Sequence, residues 1–97
     1  MANICDNTLR VISENKKVFK AVKKYFKNWQ GADVNQIDDN EMEVYFDSKW
    51  DFPEEEMKEL YNSIPDKKDI YMTCLSVEYG NMYHALWECN EDGWIEA

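Results

Sequence analysis

The chain has 97 residues, a formal net charge of −9 and a hydrophobic content of 44%. This length allows one domain around one core, and the apolar content excludes a wholly disordered chain. The negative charge opposes direct binding to nucleic acid or to an anionic membrane, and it favours a basic protein surface as partner. Because neither a signal peptide nor a membrane-spanning apolar run is recognisable, we expect an intracellular, cytoplasmic protein.

Residues 8–13 alternate apolar and polar side chains, which is typical of a half-buried strand. Ser13 or Asn15 is a candidate N-cap for the next element. The apolar residues over 16–29 follow helical spacing, so we predict an amphipathic helix with six lysines on its outer side. Gly31 is a natural stop for this helix, because glycine accepts the left-handed backbone conformation.

The second half of the chain contains strand and helix signals in alternation. Residues 41–47 alternate apolar and acidic side chains, and a second helix is expected to begin near Pro53 and to end before Pro65. Asp51 is the candidate cap of this helix. The remaining predicted strands cover residues 34–37, 69–79, 82–89 and 94–95.

This order of elements predicts an α+β fold. We expect a ferredoxin-like split βαβ sandwich, with a mostly antiparallel sheet and two helices on one of its faces. The whole chain, residues 1–97, forms a single ferredoxin-like domain in this interpretation.

Three segments resemble the YubB-type ferredoxin-like domain of phage and plasmid proteins. They are the opening NICDNTLRV, the segment DSKWDFPEEEMKELYNSIPD, and the hairpin with a tyrosine at its bend. The residues that match the family's motifs are Asn3, Cys5, Asn7, Lys49, Trp50 and Pro53, while Ile4 stands where tryptophan is usual. The family has no established activity, so the resemblance implies a fold and an origin in a mobile element, with a bacterial host cell as the setting.

Charge is concentrated in one stretch. Residues 33–59 contain eleven carboxylates and two lysines, a local net charge of −9 that equals the formal charge of the chain. Rows of carboxylates can imitate nucleic acid, because duplex DNA presents one charge per about 1.7 Å of its axis. Embedded aromatic residues, including Phe52, favour a protein partner over simple solubility. The candidate partner-binding residues are Asp33, Asp38, Asp39, Glu41, Glu43, Tyr45, Asp47, Trp50, Asp51, Glu54, Glu55 and Glu59.

Catalysis and metal binding have little support in the sequence. His84 is the only histidine, and a zinc site would need Cys74, Cys89 and a carboxylate to approach it. The three cysteines form no Cys-x-x-Cys pair, so we expect reduced thiols. No motif for nucleophilic catalysis is present, and we expect neither an enzyme nor a cofactor.

The leading hypothesis is an acidic DNA mimic encoded by a phage or plasmid. It would block the basic DNA-binding surface of a host defence complex, most readily a CRISPR surveillance complex, and would therefore be an anti-CRISPR protein. Alternatives are an inhibitor of a restriction enzyme or nucleoid protein, and a self-associating accessory protein of a mobile element without mimicry. We expect a monomer or weak oligomer, and we interpret the lysines of the first helix as a solvated face.

Overall fold

The structure is a computed structural model that describes residues 4–97. It contains six strands and two helices in these residues. Their bounds are β1 Ile4–Ile12, α1 Lys16–Phe26, β2 Asp33–Asp38, β3 Glu41–Lys49, α2 Glu54–Ser63, β4 Tyr71–Glu78, β5 Tyr83–Asn90 and β6 Gly93–Glu96.

The strands form one antiparallel sheet in the order β2-β3-β1-β4-β5-β6. Strand β1 lies between β3 and β4, so each helix connects two strands that have a third strand between them. This is the split βαβ plan, and β5 and β6 extend it at one edge. The predicted α+β ferredoxin-like fold is therefore confirmed.

The core lies between the sheet and the two helices. On α1, Val18, Phe19 and Val22 are buried, and they face the strands together with Phe26. Fully buried side chains of β1, β3 and β4 point toward the helices because strand residues alternate between the two faces. We call this helix-covered side of the sheet the inner face.

Helix α1 begins where the sequence predicts and ends earlier. Asn15 is the N-cap, and its side-chain oxygen accepts a hydrogen bond of 3.0 Å from the backbone N–H of Lys17. The prediction extended the helix to Trp29, but the last turn tightens at Lys27, whose N–H bonds the carbonyl of Lys24 at 3.4 Å. Trp29 then turns inward and packs on Phe46, with ring centroids 5.0 Å apart.

Helix α2 begins after Pro53, but Asp51 is not its cap. The N-cap is Pro53, and no side chain caps this helix end. Because Asp51 lies two residues before the N-cap, the prediction of an Asp51 cap was wrong. Glu54, Glu55 and Glu56 occupy the first turn, where negative charge is favoured by the helix dipole.

Neither helix is long and apolar enough to cross a membrane in the part of the chain that the structure describes.

The three cysteines are unpaired and buried. Burial raises the pKa of the Cys74 and Cys89 thiols to about 12, so both are held in the neutral form.

Candidate functional site

The side of the sheet opposite the helices is the open face. The side chains that alternate with the buried residues of each strand project from this face, as the register of β1 with β3 and β4 defines. Neither helix of the described residues covers it. It holds both charged and apolar side chains, with most of the charge in one half and Glu88 as a carboxylate within the other.

The acidic half lies on β1, β2 and β3. The register places Asp33 beside Tyr45, Asp38 beside Glu41, and Asp47 beside Asp6. Strand alternation adds Glu43 to the same face, opposite Arg10. The carboxylates of the acidic half are Asp6, Asp33, Asp38, Glu41, Glu43 and Asp47.

Arg10 is the cation at the centre of the acidic half. Its Nε donates a hydrogen bond of 2.8 Å to Glu41 Oε2. This bond is the main cause of the raised pKa of Arg10, and the charges of Glu43 and Asp38 act in the same direction. The six negative charges are thus accompanied by Arg10, which is already paired, and by Lys49 at the end of β3.

Asp6 and Asp47 are directly opposite each other on adjacent strands. The pKa of Asp6 is raised, first by partial burial and then by hydrogen bonding to Asp47 and by its charge. Like charges at directly opposed positions destabilise a sheet. The acidic half therefore contains a pair of carboxylates that works against folding at neutral pH.

Tyr45 projects from the middle of the acidic half and is 44% exposed. Its hydroxyl donates a hydrogen bond to Glu43, which raises the pKa of Tyr45 and fixes both side chains. A shallow cleft of about 310 Å³ beside this ring is lined by Asp6, Asp33 and Asp47. The arrangement can accept a basic side chain of a partner against an aromatic ring.

The apolar half of the open face lies on β4, β5 and β6. Tyr71, Leu75, Leu86 and Ile95 are each more than 40% exposed, and Leu75 lies opposite Leu86. Exposed apolar side chains of this kind contribute buried area when two proteins associate. The open face thus offers charge along one side and apolar surface along the other.

The fold separates the predicted binding residues into distinct groups. Asp33, Asp38, Glu41, Glu43, Tyr45 and Asp47 come together on the open face. Asp39 instead lines a cleft with Lys16, Lys20 and Lys23 of α1. Trp50, Asp51, Glu54, Glu55 and Glu59 belong to α2 and the loop before it, and they are not part of the acidic half.

The second acidic group surrounds the start of α2. A cleft of about 680 Å³ there is lined by Asp51, Glu54 and Glu55, together with Lys49 and Lys58. Lys58 pairs with Glu54 at 2.9 Å, so part of this charge is neutralised locally. Glu59 lies beside α1, where its carboxylate accepts a hydrogen bond of 3.4 Å from the Tyr25 hydroxyl.

The loop between β3 and α2 presents one of its two aromatic residues and buries the other. Trp50 is 51% exposed and has a left-handed backbone, with φ at 72°. Phe52 is buried and stacks on Trp87, with ring centroids 4.4 Å apart. Phe52 is therefore a core residue, and the prediction that it anchors an interface was wrong.

Asn7 and Cys5, two of the residues that match the motifs of the YubB-type domain, lie behind this loop, and Asn7 helps to hold it in place. Asn7 Nδ2 donates a hydrogen bond of 2.9 Å to Ser48 Oγ, and Ser48 Oγ donates one of 2.7 Å to the carbonyl of Asp51. Cys5 is buried beside Asn7, with its thiol 3.8 Å from Asn7 Oδ1. These motif residues have a structural role here, and Asn3 lies outside the described residues.

His84 cannot form a zinc site with the cysteines. It lies opposite Val77 on the open face, whereas Cys74 and Cys89 are buried on the inner face. Within residues 4–97, no group of three or more His, Cys, Asp and Glu side chains is arranged to hold a metal ion.

Sequence reasoning missed Asp6 and the apolar half. Asp6 precedes the predicted start of β1, so its position opposite Asp47 was not apparent. Extending the alternation of Leu9 and Val11 back to Cys5 and Asn7 would have placed Asp6 on the open face.

In comparisons with known proteins, no family model, curated protein or solved structure matches this chain.

Proposed function

We propose that the acidic half of the open face binds the basic groove with which a host complex holds nucleic acid. The protein would be a DNA-mimic inhibitor encoded by a phage or plasmid, and a CRISPR surveillance complex is the proposed target. The single observation that carries the proposal is the gathering of six carboxylates on one uncovered sheet face, with one paired arginine among them.

The spacing of these carboxylates suits a groove that binds phosphates. Alternate residues on one strand are about 6–7 Å apart, and adjacent strands are about 4.8 Å apart. Glu43 and Asp47 on β3 and Asp33 on β2 therefore form a grid of charge on a rigid sheet. Lysine and arginine side chains that bind phosphates can pair with such a grid without folding of either partner.

The two halves of the open face have different parts in this mechanism. The carboxylates accelerate encounter with a basic surface, and this effect weakens with salt. Tyr45 and the apolar half supply the buried area that slows dissociation. Binding is competitive with DNA because both ligands use the same basic side chains.

The proposal is tested with a purified CRISPR surveillance complex and its labelled target DNA. We expect the protein to prevent the DNA mobility shift, and we expect higher concentrations of the labelled target DNA to restore it. Inhibition that does not respond to DNA concentration would contradict mimicry.

A second experiment distinguishes the proposed target from other targets. Host proteins from a nuclease-treated lysate are captured on the immobilised protein and identified. A restriction enzyme or nucleoid protein that is retained, and then displaced by duplex DNA, would keep the mechanism and change the target. A retained protein that duplex DNA leaves in place would contradict the mechanism itself.

A further inference from the structure

Helix α1 carries a second charged surface on the other side of the molecule. We define the lysine surface as Lys16, Lys17, Lys20, Lys23, Lys24 and Lys27. All six side chains are exposed. The two ion pairs of the described residues, Arg10–Glu41 and Lys58–Glu54, involve none of them.

The lysines form a compact strip. At 100° per residue they fall within about one third of the helix circumference, and from Lys16 to Lys27 they extend over about 16 Å. The aromatic residues Phe19, Tyr25 and Phe26 lie outside this strip, on sides that face the sheet or α2. The strip therefore presents ammonium groups and no ring on which a base can stack.

Part of this charge opposes the stability of the helix. Lys23 and Lys24 in the last turn are favoured by the helix dipole, but the lysines at the start of the helix are not. Lys16 and Lys17 occupy the first turn, where the helix dipole disfavours positive charge, and no acidic residue is present there. Lys16 and Lys20, like Lys20 and Lys24, are like-charged neighbours at a spacing of four residues. An arrangement that opposes folding at several positions is expected where the charge has another use.

The net charge of the chain predicts that nucleic acid is repelled, but the fold alters this expectation. The sheet and the full diameter of α1 separate the lysine surface from the acidic half by about 15 Å or more. That distance exceeds the Debye length of about 8 Å in the surrounding solvent at physiological ionic strength. A ligand on the outer side of α1 therefore experiences mainly the lysines. The acidic neighbours at its borders include Glu14, Asp39, Glu59 and Asp66.

We infer that the lysine surface binds the phosphate backbone of double-stranded nucleic acid, independently of base sequence. A strip of lysines without aromatic rings fits a duplex, which presents dense backbone charge and keeps its bases stacked inside. The inference does not depend on the function proposed for the acidic half.

The test measures the fluorescence anisotropy of a labelled 20-base-pair duplex of mixed sequence, titrated with the whole protein at several salt concentrations between about 50 and 200 mM. We expect binding at micromolar concentrations at the lowest salt. The double variant Lys20→Gln/Lys23→Gln should weaken this binding at least tenfold and reduce the slope of log K against log salt by about 1.8.

The matched control is Lys49→Gln/Lys68→Gln, which removes the same charge from exposed positions outside α1. It should change the affinity by less than about twofold. Equal losses in the two double variants, or no binding by the unmodified protein at 50 mM salt, would overturn the inference. Circular dichroism checks that all variants are folded, since glutamine is as good a helix former as lysine.

A second copy of the chain is the competing occupant, because its acidic half would complement the lysines. Sedimentation velocity without nucleic acid distinguishes it. Concentration-dependent association that Lys20→Gln/Lys23→Gln abolishes would overturn the inference in favour of self-association, whereas a monomer over the tested range supports it.

Discussion

Asp6 and Asn7 are neighbours on β1, and they show how differently the two faces of the sheet are built. Asn7 is buried on the inner face and all its polar atoms have partners, including a 2.6 Å hydrogen bond donated by Ser76 Oγ to its Oδ1. Asp6 projects from the open face opposite a second carboxylate, Asp47. Around Asn7 the inner face satisfies its polar groups, although the indole Nε1 of Trp87 elsewhere on that face has no partner among the described residues. The open face retains an unfavourable pair of carboxylates.

This difference means that the inner face stabilises the fold, whereas the open face supplies a surface for interaction. On the inner face, one asparagine joins Ser48 on β3, Ser76 on β4 and the carbonyl of Cys5, so it links the three central strands. On the open face, the carboxylates lower the free energy of unfolding at neutral pH and supply a charged surface. Residues that work against folding on a rigid scaffold are typical of binding sites.

The largest effect on stability is expected from Asn7→Ala. This substitution leaves the hydroxyls of Ser48 and Ser76 without their buried partner and creates a small cavity. The free energy of unfolding should fall by about 3 kcal/mol. Urea unfolding followed by tryptophan fluorescence measures this change.

The control for Asn7→Ala is Thr8→Ala, one residue further along β1 and on the open face. Its cost should stay below about 1 kcal/mol, the range of strand propensity. Equal losses at the two positions would contradict the division of roles between the faces.

A smaller effect of opposite sign is expected from Asp47→Asn. In the folded state the pKa of Asp6 is raised above the usual 3.8, so folding favours the protonated carboxyl. The free energy of unfolding therefore decreases as the pH rises through the window between 3.8 and the raised pKa. The groups facing Asp6 are Asp47 on β3 and, beyond Val77 on β4, His84 on β5.

Removing the Asp47 charge should increase the free energy of unfolding by about 0.5 kcal/mol at pH 7. The gain should disappear near pH 3, below the raised pKa of Asp6, where the Asp6 carboxyl is protonated in the unmodified protein. Denaturation at the two pH values, with Asp92→Asn as a control in an exposed turn, measures the difference. A gain that is the same at both pH values would show that repulsion between Asp6 and Asp47 is not its cause.

The periodic parts of the chain were predictable from the sequence. The alternation at Leu9 and Val11 and the helical spacing from Val18 to Phe26 gave the correct element types, because each pattern records which side chains are buried. The order of elements then gave the fold. The alternating carboxylates of β3 were likewise expected to share one face, and the register places them so.

The remaining features depend on tertiary contacts. Asn7 is a polar residue at a core position, so the first half of β1 did not read as a strand until its partners on β3 and β4 were known. Phe52 looked exposed within an acidic segment, yet it stacks on Trp87, which is 35 residues away in the chain. The continuous acidic stretch also concealed the separation of Glu54, Glu55 and Glu59 from the open face, because sequence proximity does not define a surface.

The most direct test of the central claim compares two double charge reversals in the same competition assay with a CRISPR surveillance complex. Asp33→Lys/Asp47→Lys alters the acidic half, and Glu91→Lys/Asp92→Lys makes an identical change of net charge in the exposed turn between β5 and β6. We predict that the first variant loses inhibition at least 100-fold, about 2.7 kcal/mol, and that the second stays within about threefold of the unmodified protein. Equal inhibition by the two variants would contradict the claim that the acidic half is the binding surface.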